Sequence, residues 1–152
     1  MPLQKRYREE ILMKKIIILA SGNGSNAEAI CQYSKNRDFK VEAIITDNPE
    51  AGVIKKAKEL KVQTFIVPKA TGESRESHEG KLLQTLAPLN FHLIVLAGYE
   101  RLLTPTFLNS FPKKSIINIH PSLLPLYPGL DSYARAFNDT VTGSGISIHY
   151  VD

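Results

Sequence analysis

Two short stretches of this sequence carry residues whose types and spacing could do chemistry. The first is Ser21-Gly22-Asn23-Gly24-Ser25-Asn26, where glycines permit a sharp turn and the free N–H groups at a helix start make an anion site. Asn23, Ser25 and Asn26 add side-chain donors, which suit a terminal phosphate monoester better than a pyrophosphate approached by bare backbone. Two other readings of this stretch stay open. It could be a structural strand-to-helix turn, and Gly22, Gly24 and Ala27 also satisfy the dinucleotide pattern G-x-G-x-x-A, with Asp47 near the place of a ribose-binding carboxylate. A Walker A loop is excluded, since no Gly-Lys-Ser or Gly-Lys-Thr follows.

The second stretch is Asn118-Ile119-His120-Pro121. Residues two apart on a strand share a face, so Asn118 and His120 point together toward the carboxyl end of the sheet, where open α/β sheets place ligands. An amide beside an imidazole suits acyl transfer: the amide stabilises an oxyanion while the imidazole moves a proton or donates to the same oxygen. The plainer alternative is a hydrogen-bonded structural histidine at a strand end. No serine or cysteine has a nucleophile context, which favours direct attack between two bound substrates over a covalent intermediate. His78, His92 and His149 lack metal-ligand spacing with one another or with cysteine, so no metal is expected.

The elements that must position these groups follow from the apolar pattern. Lys14 to Ala20 reads as the first buried strand, and short aliphatic runs at Val41 to Thr46, Thr64 to Val67, Leu93 to Ala97, Ile116 to Ile119 and Ile146 to Val151 read as the others. Near-continuous apolar runs are what parallel strands covered on both faces require. Helical spacing lies between them, at Asn26 to Tyr33, Ala51 to Leu60, Arg75 to Leu86 and Tyr133 to Asn138, with Ser74 as an N-cap. The alternation predicts an α/β fold: an open, mostly parallel twisted sheet with helices on both faces. Pro121 to Asp131, PSLLPLYPGLD, is stiffened by proline yet apolar, which is unlike a plain linker.

A length of 152 residues suits one domain. The net charge of +4 is spread along the chain, against a dedicated nucleic-acid binder. One cysteine, Cys31, excludes an internal disulfide and reads as a small buried hydrophobe in a reducing compartment. No apolar run approaches the ~20 residues of a membrane helix, and no secretory signal is visible, so a cytoplasmic protein is expected. Residues 1–12 are strongly charged and precede the first strand, and read as an N-terminal extension to a domain spanning 13–152.

SGNGSN after the first strand, LAGYERLL and NIHPSLLPLYPGL together resemble the folate-dependent phosphoribosylglycinamide formyltransferases of purine synthesis, from about Met13 to the C-terminus. The resemblance implies a Rossmann-like formyltransferase fold. It implies transfer of a formyl group from 10-formyltetrahydrofolate, as co-substrate, to the amine of glycinamide ribonucleotide, with no nucleic-acid or membrane partner. By it, Gly24, Ser25 and Asn26 hold the 5′-phosphate. Arg75, Glu100, Arg101, Leu102 and Leu103 line the folate pocket, Asn118 contacts the formyl group and His120 is the catalytic histidine. Asp131 stands where the family commonly has a histidine, and Glu100 where it has an uncharged residue. The family's catalytic aspartate is expected beyond Asp152, so the chain as given is expected to be a C-terminally truncated member with weak or no activity. Two alternatives stand beside this reading: a non-catalytic sugar-phosphate-binding remnant, and a nicotinamide-dependent oxidoreductase resting on G-x-G-x-x-A and Asp47.

Overall fold

The computed structural model describes residues 2–6, 13–122, 124–126, 128–139 and 145–152. Most of the expected 1–12 extension, with Leu123, Tyr127 and residues 140–144, therefore lies outside the described residues.

In chain order the elements are β1 Lys14–Leu19, α1 Ser25–Ser34, β2 Phe39–Thr46, α2 Val53–Glu59, β3 Thr64–Ile66, α3 Arg75–Leu86, β4 Leu93–Leu96, α4 Pro105–Leu108, β5 Ile116–His120, α5 Ser132–Asn138 and β6 Ser147–Tyr150. The strands form one sheet in the order β3-β2-β1-β4-β5-β6. β1 to β5 are parallel, and β6 runs antiparallel to β5.

The apolar runs are explained by what covers them. Along β1, Ile16 and Ile18 face a cluster with Ala27 and Cys31 of α1 and Val53 and Ala57 of α2. Ile17 and Leu19 face the other way, onto Leu82 and Leu86 of α3 and Phe107 of α4. Alternate residues of a strand point to opposite faces, so a strand between two helical layers must be apolar at every position. Cys31 is buried as expected, and burial pushes its thiol pKa up.

β6 departs from that pattern. Its Ile148 and Tyr150 are exposed, because it is the sheet's edge and is covered on one face at most. The other unanticipated element is α4, one turn long. Its signal is nonetheless local: Thr104 caps it, its Oγ1 accepting from the Phe107 N–H at 3.3 Å, and Pro105 occupies the first turn. Ser74 caps α3 as the sequence predicts, its Oγ accepting from Ser77 N–H at 3.0 Å.

Candidate functional site

From β1 the chain crosses to β2 on one side, while β4 lies on the other. The crevice at the carboxyl ends of β1 and β4 is thus the topological switch point, where this architecture admits ligands. Ser21 to Asn26 lines one side of it and Gly98 to Arg101 the other, joined by the Ser21 N–H donating to the Gly98 carbonyl at 3.0 Å.

Gly24 gives the first loop its shape. It sits at φ +80° as the N-cap of α1, and a Cβ there would lie 2.4 Å from Val53 Cγ2. Only glycine combines that backbone with such close approach of α2. The Val53 N–H donates to the Gly22 carbonyl at 3.1 Å, which fastens the start of α2 to the same loop. Ser25 and Asn26 are exposed in the first turn of α1, and among the described residues neither side chain has a hydrogen-bond partner. Their donors are therefore open to a ligand at the positive end of the helix.

Behind the loop lies a buried polar junction. Ser21 Oγ donates to Asp47 Oδ1 at 2.6 Å and accepts from the Glu100 N–H at 2.9 Å, while Asn48 Nδ2 donates to the Ser21 carbonyl at 3.3 Å. The second carboxylate oxygen of Asp47 ion-pairs with Arg101 Nε at 2.5 Å. Asp47 is thereby committed to protein partners and buried, which removes the ribose-binding role the dinucleotide pattern would give it. Tyr99 packs close by; burial first, and then the Asp47 charge, push its phenol pKa up.

The residues after β4 divide. Glu100 is exposed, Arg101 is half-buried in its ion pair and Leu102 is 79% exposed. Leu103 turns inward against the core and lines a cavity of about 540 Å³ with Leu108, Phe111 and Ile116, at the amino end of β5 and so away from His120. The segment is anchored at its far end by Glu79 of α3, whose buried carboxylate accepts from Thr104 N–H at 2.8 Å and from the Thr104 hydroxyl. Arg75 stands exposed at the first residue of α3, and no hydrogen bond or ion pair among the described residues joins it to this segment.

Asn118 and His120 lie on one face of β5, next to β4. His120 is 8% exposed, with Nε2 3.4 Å from Ser132 Oγ at the start of α5. Ser132 Oγ also donates to the Gly129 carbonyl at 3.1 Å, which ties α5 to the proline-rich loop. The antiparallel register pairs Asn118 with His149, and Asn118 Nδ2 lies 3.3 Å from His149 Nε2. An amide nitrogen can only donate, so Nε2 accepts and the ring proton sits on Nδ1, which donates to the Tyr150 carbonyl at 3.0 Å. His149 and Ser132 are the site neighbours that sequence reasoning missed, since their proximity follows from cross-strand register and loop closure. The loop from Pro121 is also tied to β6: Ser147 Oγ donates to the Ser122 carbonyl at 2.7 Å and accepts from Leu124 N–H at 3.0 Å.

No group of three or more His, Cys, Asp or Glu among the described residues could hold a metal, and none of the described helices is long and apolar enough to cross a membrane.

Comparison with known proteins shows the family and agrees with the fold. The Formyl transferase family matches residues 14–152. Phosphoribosylglycinamide formyltransferase of Bacillus subtilis is 41% identical over 142 residues, covering 92% of this chain and 72% of that protein. The Escherichia coli protein of the same name is 33% identical over 138 residues, covering 90% of this chain and 65% of its own length. Among solved structures, glycinamide ribonucleotide transformylase 1 from Geobacillus kaustophilus superposes with a TM-score of 0.85 at 37% identity, over 92% of this chain and 75% of that one. Phosphoribosylglycinamide formyltransferase from Bacillus halodurans gives a TM-score of 0.84 at 40% identity, over 91% of this chain and 72% of that one. With a family match over residues 14–152, 41% identity to a relative that it covers to 72%, and a fold shared at a TM-score of 0.85, this chain belongs to the phosphoribosylglycinamide formyltransferase family.

Proposed function

We propose that the crevice transfers a formyl group from 10-formyltetrahydrofolate to the amine of glycinamide ribonucleotide, and that residues 13–152 carry the site with 1–12 as an appendage. The observation that carries this is the shared edge of the sheet. An anion loop with uncommitted Ser25 and Asn26 donors and the Asn118/His120 pair lie on strands two places apart, β1 and β5. Two inter-strand steps span roughly 9.5 Å, which suits a ribonucleotide held by its phosphate at one end and reacting at the other.

In this reading Gly24, Ser25 and Asn26 bind the 5′-phosphate. Arg75 and the Glu100 to Leu103 segment flank the formyl-folate, with the Leu103 side chain acting from the core beneath. The substrate amine attacks the formyl carbon directly, and the carbonyl electrons move onto oxygen. Asn118 retains a second amide N–H beyond the one directed at His149, and with His120 it can donate to that oxyanion. Collapse of the tetrahedral species expels the folate N10, and the proton lost by the amine reaches N10 by way of His120. A reducing cytoplasm fits the single buried cysteine.

Titration calorimetry on the 152-residue chain tests the reading. Glycinamide ribonucleotide is expected to bind and NAD not to, and replacing both Ser25 and Asn26 by alanine is expected to weaken ribonucleotide binding at least tenfold. Tight NAD binding, or unchanged ribonucleotide affinity in the double variant, overturns it.

A further inference from the structure

The anion loop is contacted by one charged side chain that neither the motif nor its phosphate donors account for. Lys56, in the last turn of α2, donates from Nζ to Asn23 Oδ1 at 3.1 Å. Asn23 lies inside the loop, one residue before Gly24. The ammonium can only donate, so the carbonyl oxygen of the Asn23 amide must face it and the amide NH2 must face away. Gly52 makes room for this arrangement, since a Cβ at that position would stand 3.2 Å from Asn23 Oδ1. Lys55 and Lys58 on the same helix are exposed, and Lys56 is only half-exposed, its stem laid toward the loop. Beneath the loop, the Asp47 charge is balanced by Arg101. Among the described residues this leaves Lys56 as the one cation fixed against the loop with donors to spare, because an ammonium has three and Asn23 takes one.

We propose that Lys56 is a specificity-determining cation of the phosphate subsite, which selects a phosphate-bearing ligand over its unphosphorylated counterpart and fixes the orientation of the Asn23 amide. The proposal rests on the ribonucleotide reading of the loop and adds to it a residue 30 positions downstream of Asn26 in sequence. It also explains the departure from a dinucleotide turn. A pyrophosphate carries its charge spread between two esters and is approached by backbone, whereas a terminal monoester is a dianion and gains most from a nearby point charge.

The test compares wild type, Lys56→Met, Lys56→Gln and Lys56→Arg by calorimetry, with glycinamide ribonucleotide and the corresponding riboside lacking phosphate as probes. One partly screened unit charge against a dianion predicts that Lys56→Met and Lys56→Gln each weaken ribonucleotide binding about fivefold, with a shallower salt dependence. Lys56→Arg stays within about twofold of wild type, and riboside binding does not change in any variant. Equal loss for both probes would mark Lys56 as merely structural and overturn the proposal, as would a Lys56→Met variant that binds the ribonucleotide like wild type. Failure of the wild type itself to bind the ribonucleotide overturns the underlying reading of the loop instead, so the two failures are distinguishable.

Discussion

Replacing Gly24 by alanine tests the strand-to-helix turn on which the phosphate reading depends. Two costs can be worked from the geometry. At φ +80° an alanine sits in left-handed backbone, at about 1–2 kcal/mol. Its Cβ would also stand 2.4 Å from Val53 Cγ2, 2.6 Å from Val53 Cβ and 2.9 Å from Val53 Cα, where carbon contacts prefer roughly 3.5–4.0 Å. A rotamer change at Val53 can move Cγ2 but neither Cβ nor Cα. Val53 is fully buried and its N–H is bonded to Gly22, so α2 or the loop itself must shift. Overpacking of this kind costs about 1–3 kcal/mol, which brings the expected loss to about 2–5 kcal/mol. For a chain of this size a loss of about 3 kcal/mol lowers Tm by roughly 6–12 °C. Urea unfolding and scanning calorimetry read the stability, and ribonucleotide titration reads the loop, whose affinity is expected to fall as well. Adding Val53→Ala removes Cγ2 but leaves the Cβ and Cα clashes and the strained φ, so it is expected not to rescue. A Gly24→Ala protein within about 0.5 kcal/mol of wild type, or full rescue by Val53→Ala, would refute the reasoning.

Three further outcomes are expected. His120→Ala should abolish the residual formyl transfer of the chain, general acid–base help being worth about 10²–10⁴-fold, while leaving ribonucleotide affinity within a few-fold, and an unchanged residual rate removes His120 from the chemistry. Arg101→Met strands the buried Asp47 carboxylate; buried pairs cost about 3–5 kcal/mol to break, and since Arg101 is 35% exposed a loss of about 1–3 kcal/mol is expected in urea unfolding. Asp47→Asn in that background should recover part of the loss, and strict additivity of the two changes would show that the pair is not coupled. Glu73 accepts from the Ala70 N–H at 2.8 Å, and this bond above all, with Lys81 and Ser77, holds its carboxyl pKa down to about 2. A depressed carboxyl contributes stability above its unfolded value and loses it as pH falls through the folded one, so the stability difference between wild type and Glu73→Gln should fade between about pH 4.5 and 2. A Glu73 midpoint near 4.5 by NMR titration would sink that account.

Local order was legible in the residues themselves. α3 spans Arg75–Leu86 with Ser74 as its cap, and β1 must be buried on both faces because every position from Ile16 to Leu19 is apolar. The placing of Asn118 and His120 on one face needs only the two-residue period of a strand, and the turn at Gly22 to Asn26 needs only its glycines and its place between strand and helix. These features depend on neighbours within a few positions, and so can be read from spacing.

What depends on partners far along the chain was decided by the tertiary structure. The strand order puts β4 beside β1, which creates the crevice, and it follows from which apolar faces pack together rather than from any one segment. Asp47 looked like a ribose ligand from its position at the end of β2, yet Ser21 and Arg101, 26 and 54 residues away, claim both of its oxygens. His149 carried no motif, and it reaches Asn118 only because β6 turns back antiparallel in one particular register. Lys56 is one of three lysines on a short helix, and only the packing of Val53 and Gly52 against the loop selects it from the others. Periodicity tells a residue which face of its own element it occupies; the sheet's order and register determine what stands opposite.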